Sequence, residues 1–339
     1  MIRARVASSR HAALCVLLCS ISLPRAQSQT LAQEPPPGAI RVSVDRVNVG
    51  VIVTDSHGKF IGGLQREDFH VFDDGVEQPL TDFAPVDEPA QVLMLVEAGP
   101  AVYFLEAGHV RASHALLEGL SAGDRVAVVK YDTTPQPVLD FSADKRAAET
   151  ALTNVRYYIG FGNLNLSRSL SIVLDWLAKT QGKKTIVLLS TGFDTSDPGE
   201  PVALVSRLKT TDVRILAISL GGELRNPAPK FKDKNQPRPE KTAITEQGFA
   251  EADRFLRILT ETTGGRVYFP NNTKDFSAVY AEIAQLVRHE YSLAFAPPVN
   301  DGKLHTIEVR VTSPRATASD ESAPAYRIDH RRAYLAPAP

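Results

Sequence analysis

The sequence predicts an α/β protein: a doubly wound, mostly parallel open sheet with a flanking β-sandwich-like unit. Three observations support this class. Between residues 89 and 289, short apolar runs alternate with amphipathic helical patterns, which is typical of a sheet covered by helices on both faces. Segments 40–88 and 290–335 instead contain strands and turn signals. We expect these two terminal β units to pack together, because the ends of a domain often lie close in space.

The first 28 residues have the composition of an export signal, with basic residues, an apolar run at 12–23, and small residues that allow cleavage after Ala26 or Ser28. The run has 12 residues, fewer than the roughly 20 that span a bilayer. An uncleaved anchor is therefore the less favoured alternative. Residues 29–39 are proline-rich and form a predicted linker. The predicted location is extracytoplasmic, either periplasmic or secreted, with no stable membrane span after cleavage.

Removal of this signal would change the chemistry of the chain. Both cysteines, Cys15 and Cys19, lie within it, so the mature protein would have no disulfide and no thiolate metal site. Four arginines would also leave, which takes the net charge from -1 to -5. This mild acidity gives no electrostatic reason to expect nucleic acid as a partner.

In the first β unit, valines alternate at 42 and 44 and then in the opposite phase from Val47 to Val53, which predicts a break between the two runs. Asp73-Asp74-Gly75 predicts a hairpin turn. In the last β unit, alternation at Tyr291 to Phe295 and at Ile307 to Val311 predicts two further strands.

The central region contains four apolar runs that predict parallel strands buried on both faces: Val92–Val96, Arg125–Tyr131, Thr185–Ser190 and Val213–Leu220. Three helical patterns accompany them: Leu166–Leu177, a helix around Phe255–Leu259 that ends before Gly264-Gly265, and Phe276–Leu286. Residues 226–245 form a flexible basic, proline-rich insertion, which is either a solvated excursion or a partner-binding segment.

Several short motifs follow one another in an order that resembles one bacterial family. They are Asp55-x-x-Gly58, Asp73-Asp74-Gly75, Leu120-x-x-x-Asp124, Thr262-x-Gly264-Gly265 and Arg288-x-x-Tyr291. In this order and spacing, they resemble the secreted VWFA-related proteins, whose core is a Rossmann-like von Willebrand factor type A (VWA) domain. The resemblance covers about residues 42–335 and implies a protein-binding module.

The resemblance also implies where a metal-ion-dependent adhesion site would lie. Family members that bind Mg²⁺ or Mn²⁺ use Asp-x-Ser-x-Ser after the first strand, a Thr on a middle loop and an Asp after the fourth strand. The corresponding positions here are Glu97, Gly99, Ala101, Leu164 and Thr191. Two of these five side chains carry an oxygen, whereas a small hard cation requires near-octahedral oxygen ligation. We therefore expect a degenerate site, with no metal or other cofactor.

A substitute site for Mg²⁺ or Ca²⁺ remains an alternative. Glu97, Asp194 and Asp197 are predicted at the same edge of the sheet, and their carboxylates are suitable ligands for either cation. The other interpretation is that these acids cap the following helix and solvate the loop.

Motifs that would indicate catalysis lack their usual context. Gly119-x-Ser121-x-Gly123 matches a hydrolase nucleophile elbow, but a helix precedes it and a strand follows, which is the reverse of that motif. Ser121 is therefore interpreted as a turn residue. His109 and His114 are five residues apart and do not share a helical face for a metal. We expect no enzymatic activity, with a Ser121-dependent hydrolase as an alternative.

The leading functional prediction is an exported, non-catalytic adhesion or scaffold protein that binds a protein partner through the loops at the carboxyl ends of the strands. Its candidate contacts are Tyr157, Tyr158, Phe161 and Asn163, since exposed aromatic residues are efficient anchors. The same rings would also suit packing beneath the loop. Two alternatives are a divalent-cation-dependent adhesion module around Glu97 and Asp194, and a small-ligand receptor with an apolar pocket.

Overall fold

The computed structural model describes residues 46–86, 89–99, 112–155, 163–225, 245–271, 274–312 and 326–338. All of them belong to one compact unit, Val44–Pro339. The predicted signal, the linker, the first valine alternation and nearly all of the basic insertion lie outside the described residues. Within these ranges, none of the helices combines the length and the apolar composition needed to cross a membrane.

The described chain contains fourteen strands and seven α-helices. The strands are β1 (Val47–Thr54), β2 (Phe69–Asp73), β3 (Val76–Gln78), β4 (Leu80–Val86), β5 (Ala90–Glu97), β6 (Arg125–Tyr131), β7 (Pro135–Ser142), β8 (Lys183–Ser190), β9 (Val213–Ser219), β10 (Val267–Tyr268), β11 (Glu290–Phe295), β12 (Leu304–Val311), β13 (Arg327–Asp329) and β14 (Ala333–Leu335). The helices are α1 (112–119), α2 (Lys145–Thr153), α3 (Leu166–Leu177), α4 (Gly199–Leu208), α5 (Gly221–Arg225), α6 (Glu246–Thr262) and α7 (Phe276–Arg288).

The central sheet has six strands in the order β10-β9-β8-β5-β6-β7, and every pairing is parallel except that of β7 with β6. Alternate residues of each strand enter two separate cores. Val92 and Met94 pack towards α1, α2 and α7, whereas Leu93 and Leu95 pack towards α3, α4 and α6. Helices therefore cover both faces, and the predicted doubly wound, mostly parallel sheet is confirmed.

The two ends of the described chain form two four-stranded antiparallel sheets, ordered β13-β1-β11-β4 and β14-β12-β2-β3. Val51 of β1 pairs with Tyr291 of β11, and Val71 of β2 pairs with Val309 of β12. The two sheets share one apolar core to which Val47, Val49, Val51 and Val53 contribute. The flanking β-sandwich-like unit built from both termini is therefore confirmed as part of the fold class.

Two strands of the central sheet were not predicted. The eight residues of β7 form an antiparallel edge strand that contains Pro135 and Pro137. Proline is tolerated in an edge strand because it can occupy positions at which no N–H has to donate to a neighbouring strand. Because prolines are rare in strands, their presence gave no strand signal in the sequence. The two residues of β10 pair with Ala217 and Ile218 and are too few to produce a pattern.

Two buried arginines join the central sheet to the sandwich. Arg214 of β9 donates to the backbone carbonyl of Gly50 at 3.1 Å and to Glu290 Oε1 at 2.7 Å. Arg266 donates to Thr54 Oγ1 at 2.8 Å and to Asp329 Oδ2 at 2.6 Å. Because both guanidinium groups bridge the two layers, they fix how the sandwich sits on the sheet.

Candidate functional site

Three neighbouring strands end at the same edge of the central sheet and bring their last side chains together. Glu97 ends β5, Tyr131 ends β6 and Ser190 ends β8, with Thr191 directly after it. The parallel register places Glu97 opposite Tyr131 and Val96 opposite Leu189. All four polar residues are buried, at 1% exposure or less. The predicted convergence at this edge therefore forms inside the protein, below its surface.

The carboxylate of Glu97 is held through one oxygen. Its Oε2 accepts from the Thr191 backbone N–H at 2.7 Å, from Thr191 Oγ1 at 2.8 Å and from Ser190 Oγ at 3.1 Å. The Tyr131 hydroxyl lies 2.7 Å from Ser190 Oγ and 3.2 Å from the same carboxylate oxygen. Since a phenol has one proton, it donates to the nearer serine, which in turn donates to Glu97.

Burial raises the pKa of Glu97 above its ordinary value, and the hydrogen bonds from Thr191 and Ser190 offset part of that shift. Burial and the adjacent Glu97 raise the pKa of Tyr131 well above its ordinary value. Removal from water disfavours the charged form of both groups. The environment of Glu97 therefore favours a neutral carboxyl more than an exposed position would.

The second carboxylate oxygen of Glu97, Oε1, lies near Gly99 and the methyl groups of Leu164. Among the described residues, Glu97 Oε1 has no hydrogen-bond partner. A Cβ built on Gly99 would lie 3.2 Å from this oxygen and 3.3 Å from Leu164 Cδ2. One free oxygen beside the methyl groups of Leu164 does not supply the several oxygen ligands that Mg²⁺ or Ca²⁺ requires. The residues at this edge do not fit a divalent cation.

The predicted substitute ligands do not assemble with Glu97. Asp194 Oδ2 accepts from the Ser167 backbone N–H at 3.1 Å and from the Ser167 hydroxyl, and Oδ1 accepts from Ser196 Oγ at 2.6 Å. Asp197 is 87% exposed and lies 3.9 Å from the guanidinium of Arg168. Among the described residues, the side chains close enough to share a metal are instead those of Asp73, Asp74 and His305, in the sandwich.

Asp194 takes over the role of an N-cap for α3. The N-cap residue itself, Asn165, makes no side-chain capping bond, while Asp194 receives the N–H of Ser167 in the first turn. A carboxylate also interacts favourably with the positive end of a helix. The sequence interpretation had these acids cap the following helix; Asp194 instead caps a helix that precedes it in the chain.

Two loops of this edge are tied together. Thr195 N donates to the Leu164 carbonyl at 2.7 Å, and Leu164 N donates to Thr195 Oγ1 at 2.9 Å. At the start of the second loop, Gly192 has φ of 81° and approaches α6 so closely that a Cβ would lie 2.6 Å from the Ala252 carbonyl oxygen. Glycine is required here both by the backbone conformation and by the contact.

Comparison with known sequences identifies the domain. Residues 110–277 match the sequence model of the von Willebrand factor type A domain. The chain carries a VWA domain. The expected VWA domain is thereby confirmed over these residues. No curated protein matches the chain.

Several solved structures are similar to this VWA protein. A von Willebrand factor type A protein from Catenulispora acidiphila is 11% identical, with 81% of this chain and 76% of that chain covered and a TM-score of 0.46. An aerotolerance-related membrane protein from Bacteroides fragilis is 14% identical, with 58% and 100% covered and a TM-score of 0.45. BatB from Bacteroides thetaiotaomicron is 12% identical, with 59% and 98% covered and a TM-score of 0.40.

The predicted partner contacts fall mostly outside the described residues. Tyr157, Tyr158 and Phe161 lie there, as does Ala101, one of the positions at which the resemblance implies a metal ligand. Asn163 is described and exposed, one residue before the Leu164 that contacts the Gly99 position. The structure therefore places Glu97, Gly99, Leu164 and Thr191 at one edge of the VWA sheet, with Asn163 on the adjoining surface.

Ser121 lies in the turn between α1 and β6. Its backbone N–H donates to Asp124 Oδ2 at 2.7 Å, and the Asp124 N–H returns a bond to the Ser121 carbonyl at 3.2 Å. The carboxylate of Asp124 also accepts from the Ala90 N–H at 2.7 Å. This turn joins α1 to two strands and has the order helix, turn, strand, so it lacks the geometry of a nucleophile elbow.

A second polar cluster, in the sandwich, was missed by the sequence reasoning. His305 Nδ1 lies 3.0 Å from both Asp73 Oδ1 and Asp74 Oδ2, and its Nε2 lies 3.2 Å from Asp301 Oδ1. Burial lowers the pKa of His305, but hydrogen bonds to Asp301 and Asp73 raise it more, so the net shift is upward. Histidine spacing alone could not reveal this group, because Asp73 and Asp74 come from the end of β2 and the turn after it, more than 200 residues before His305.

Proposed function

We propose that this chain is an exported, non-catalytic module that binds a protein partner through the carboxyl-end edge of its VWA sheet without a bound metal ion. We call this edge the binding face and define it by residues 163–165 and 191–197. The observation that carries the proposal is the burial of Glu97, whose Oε2 is occupied by Thr191 and Ser190. The acid that the resemblance assigns to a cation is thus used within the protein.

The rigidity of the binding face supports this role. The Leu164 to Thr195 pair of hydrogen bonds and the Asp194 cap on α3 hold both loops against the sheet. A surface that is ordered before binding loses less conformational entropy when a partner docks. Such a face can therefore bind a protein without a cation to organise its loops.

The surface chemistry of the binding face is polar and mixed in charge. Asn163 and Asp197 are exposed, and Arg168 pairs with Glu200 beside them. Polar side chains of both signs around a rigid centre suit recognition of a complementary protein surface more than of an apolar ligand. Two cavities in the described part of the chain are lined largely by charged and polar residues, unlike the apolar pocket that a small-ligand receptor would require.

A pull-down from the native cell envelope tests the proposal. We expect the purified protein to retain its partner in EDTA, and the double variant Asn163→Arg/Asp197→Arg to lose it. The control Glu67→Arg changes an equally exposed acid on the sandwich and should retain the partner. Recovery that requires added Mg²⁺ or Ca²⁺, or that survives the double variant, would show that the proposal is wrong.

A second candidate function is divalent-cation-dependent adhesion, and one observation favours it. Glu97 Oε1 is buried without a partner in the described residues, which is the kind of atom that a metal can satisfy. Calorimetry and thermal melting with Mg²⁺, Mn²⁺ and Ca²⁺ separate the two functions, because a bound cation stabilises the folded state. We expect no saturable heat that depends on Glu97.

Any cation response has to be assigned to a site. A shift abolished by Glu97→Gln and retained in Asp74→Asn would support adhesion through the altered VWA site. The opposite result would assign the cation to the Asp73, Asp74 and His305 group and leave the proposed function unchanged.

A further inference from the structure

A charged cavity lies at the other edge of the central sheet, away from the binding face. It has a volume of about 300 Å³ and lies between the first residues of β8 and β9 and the sandwich strands β1 and β11. Its charged lining residues are four cations and two acids: Lys183, Lys184, Arg214 and Arg331, and Asp212 and Glu290. The volume is at the lower end of the range for small-molecule sites, about 300 to 1,000 Å³.

The charges around this cavity do not balance. Four cationic side chains face two carboxylates. Lys184 Nζ pairs with Asp212 Oδ2 at 2.7 Å, and Arg214 Nη2 pairs with Glu290 Oε1 at 2.7 Å. Glu290 also forms an ion pair with Lys183 through Oε2, so the two acids are shared among the four cations and a net excess of two positive charges remains.

Two of the four cations also have unused donors. In the described structure, Lys183 Nζ and Arg331 Nε are buried and have no hydrogen-bond partner. The nearest acid to Lys183 is Glu290, whose Oε2 is 3.6 Å from Nζ, longer than a hydrogen bond. Burial lowers the pKa of the Arg331 guanidinium, and the negative charge of Asp212 offsets part of that shift. A buried cationic donor without an acceptor is unfavourable and is satisfied by an anion.

Gly50 allows this arrangement. A Cβ at this position of β1 would lie 1.7 Å from Glu290 Oε1 and 3.3 Å from Arg214 Nη2. The absence of a side chain lets the Arg214 and Glu290 pair press against the strand. The Arg214 and Glu290 pair therefore lines one side of the cavity, and Lys183 and Arg331 line the space beside it.

We infer that this cavity binds a small oxyanion with two negative charges, of the phosphate or sulfate class. Buried cationic donors match the several oxygens of a tetrahedral dianion, and charge-assisted hydrogen bonds of this kind are roughly twice as strong as neutral ones. The excess of two positive charges equals the charge of the ligand. A cation is excluded by the same imbalance. This inference is independent of the proposed function, which concerns the opposite edge.

Calorimetry of the full chain with inorganic phosphate tests the inference, in chloride buffer of constant ionic strength. We expect saturable one-site binding and a rise in melting temperature, with sulfate giving the same response and acetate none. The double variant Lys183→Gln/Arg331→Gln should weaken phosphate binding by about tenfold or more, which corresponds to about 1.4 kcal/mol. The matched control Lys59→Gln/Arg327→Gln has the same net charge, changes exposed residues and should bind as the native chain does.

A second variant guards against a folding defect in the first. Asn48→Glu places a carboxylate on the exposed rim of the cavity, where it should compete with phosphate and abolish binding. Absence of saturable phosphate binding to the native chain, or equal binding by the double variant and its control, would overturn the inference. Titration with glycerol phosphate identifies the source: tighter binding than inorganic phosphate indicates a phosphate ester, and weaker binding indicates the free anion.

Discussion

Thr191 holds the carboxylate of Glu97 through two hydrogen bonds, one from its backbone amide at 2.7 Å and one from its hydroxyl at 2.8 Å. The bonds join the loop after β8 to the end of β5, across two neighbouring strands. In the resemblance to metal-binding VWA domains, both positions would supply ligands to one cation. In this structure the two side chains instead form a hydrogen bond with each other.

The free energy of unfolding of Glu97→Gln, relative to that of the native chain, should rise as the pH increases above about 4.5, the ordinary pKa of the glutamate side chain. Because its folded-state pKa is raised, native Glu97 is most favourable at low pH and loses that contribution as the pH rises through its folded pKa. The amide cannot ionise and keeps an acceptor for Thr191. Denaturant unfolding of both proteins from pH 4 to pH 8 measures the difference.

Glu97→Ala is the contrasting variant. It removes the acceptor of the buried Thr191 amide and hydroxyl, and each such unsatisfied group costs about 1 to 3 kcal/mol. We expect a loss of about 3 kcal/mol at low pH, which becomes smaller as the pH rises through the folded-state pKa of Glu97. If the native chain instead became more stable than the Gln variant with rising pH, Glu97 would be favoured as an anion, contrary to our account.

Gly192→Ala should destabilise the protein by more than a positive φ alone would explain. The change adds a Cβ 2.6 Å from the Ala252 carbonyl oxygen, and such overpacking typically costs about 1 to 3 kcal/mol. Gly63→Ala is a matched control, since Gly63 has φ of 80° and nothing within 4 Å of a Cβ. The control should lose about 1 to 2 kcal/mol. Equal losses in thermal unfolding would refute the close contact with α6.

His305→Gln should lower stability at low pH more than at high pH. Although burial lowers the pKa of His305, its hydrogen bonds to Asp301 and Asp73 raise it above the ordinary 6.5. A raised histidine pKa stabilises the fold fully below about 6.5, and the stabilisation is lost as the pH rises through the folded value. The exposed His57→Gln is the control. A native-to-variant difference that stays constant from pH 5 to pH 9 would contradict this prediction.

Arg266→Met should cost about 3 to 5 kcal/mol, because it leaves buried partners of an ion pair without their cation. Arg266 is 5% exposed and contacts Asp329, Glu282 and Thr54. Arg46→Met breaks an exposed pair with Asp82 and should cost under about 1 kcal/mol. Unfolding in urea compares the two. Similar small losses would mean that Arg266 does not fasten the sandwich to the sheet.

The fold was predictable from the sequence wherever burial requires a regular spacing of apolar residues. Apolar runs such as Thr185–Ser190 belong to strands with helices on both faces, so every residue of the run is apolar or small. The valines of β1 alternate because one face meets the sandwich core. The edge strand β7 has neither pattern, since its residues are mostly part-exposed and two of them are prolines.

The candidate site was only partly predictable. The positions Glu97, Leu164 and Thr191 could be placed because strand ends determine them. The direction of their hydrogen bonds could not, since it depends on the parallel register between β5 and β8. Asp194 was placed in the correct loop, but its capping of α3 links residues 27 positions apart. Sequence spacing carries no signal for a contact of that kind.

The pairing of β1 with β11 has a consequence for how the chain reaches its folded state. Val51 pairs with Tyr291, so the first strand of the sandwich stays without this partner until β11 has been made. The strands of the α/β domain pair with neighbours closer in sequence. Because contacts between distant segments slow folding, we expect the sandwich to close after the α/β domain has formed. We expect a chain that lacks the final sandwich strands to keep an ordered α/β core and to expose the apolar valine side chains of β1.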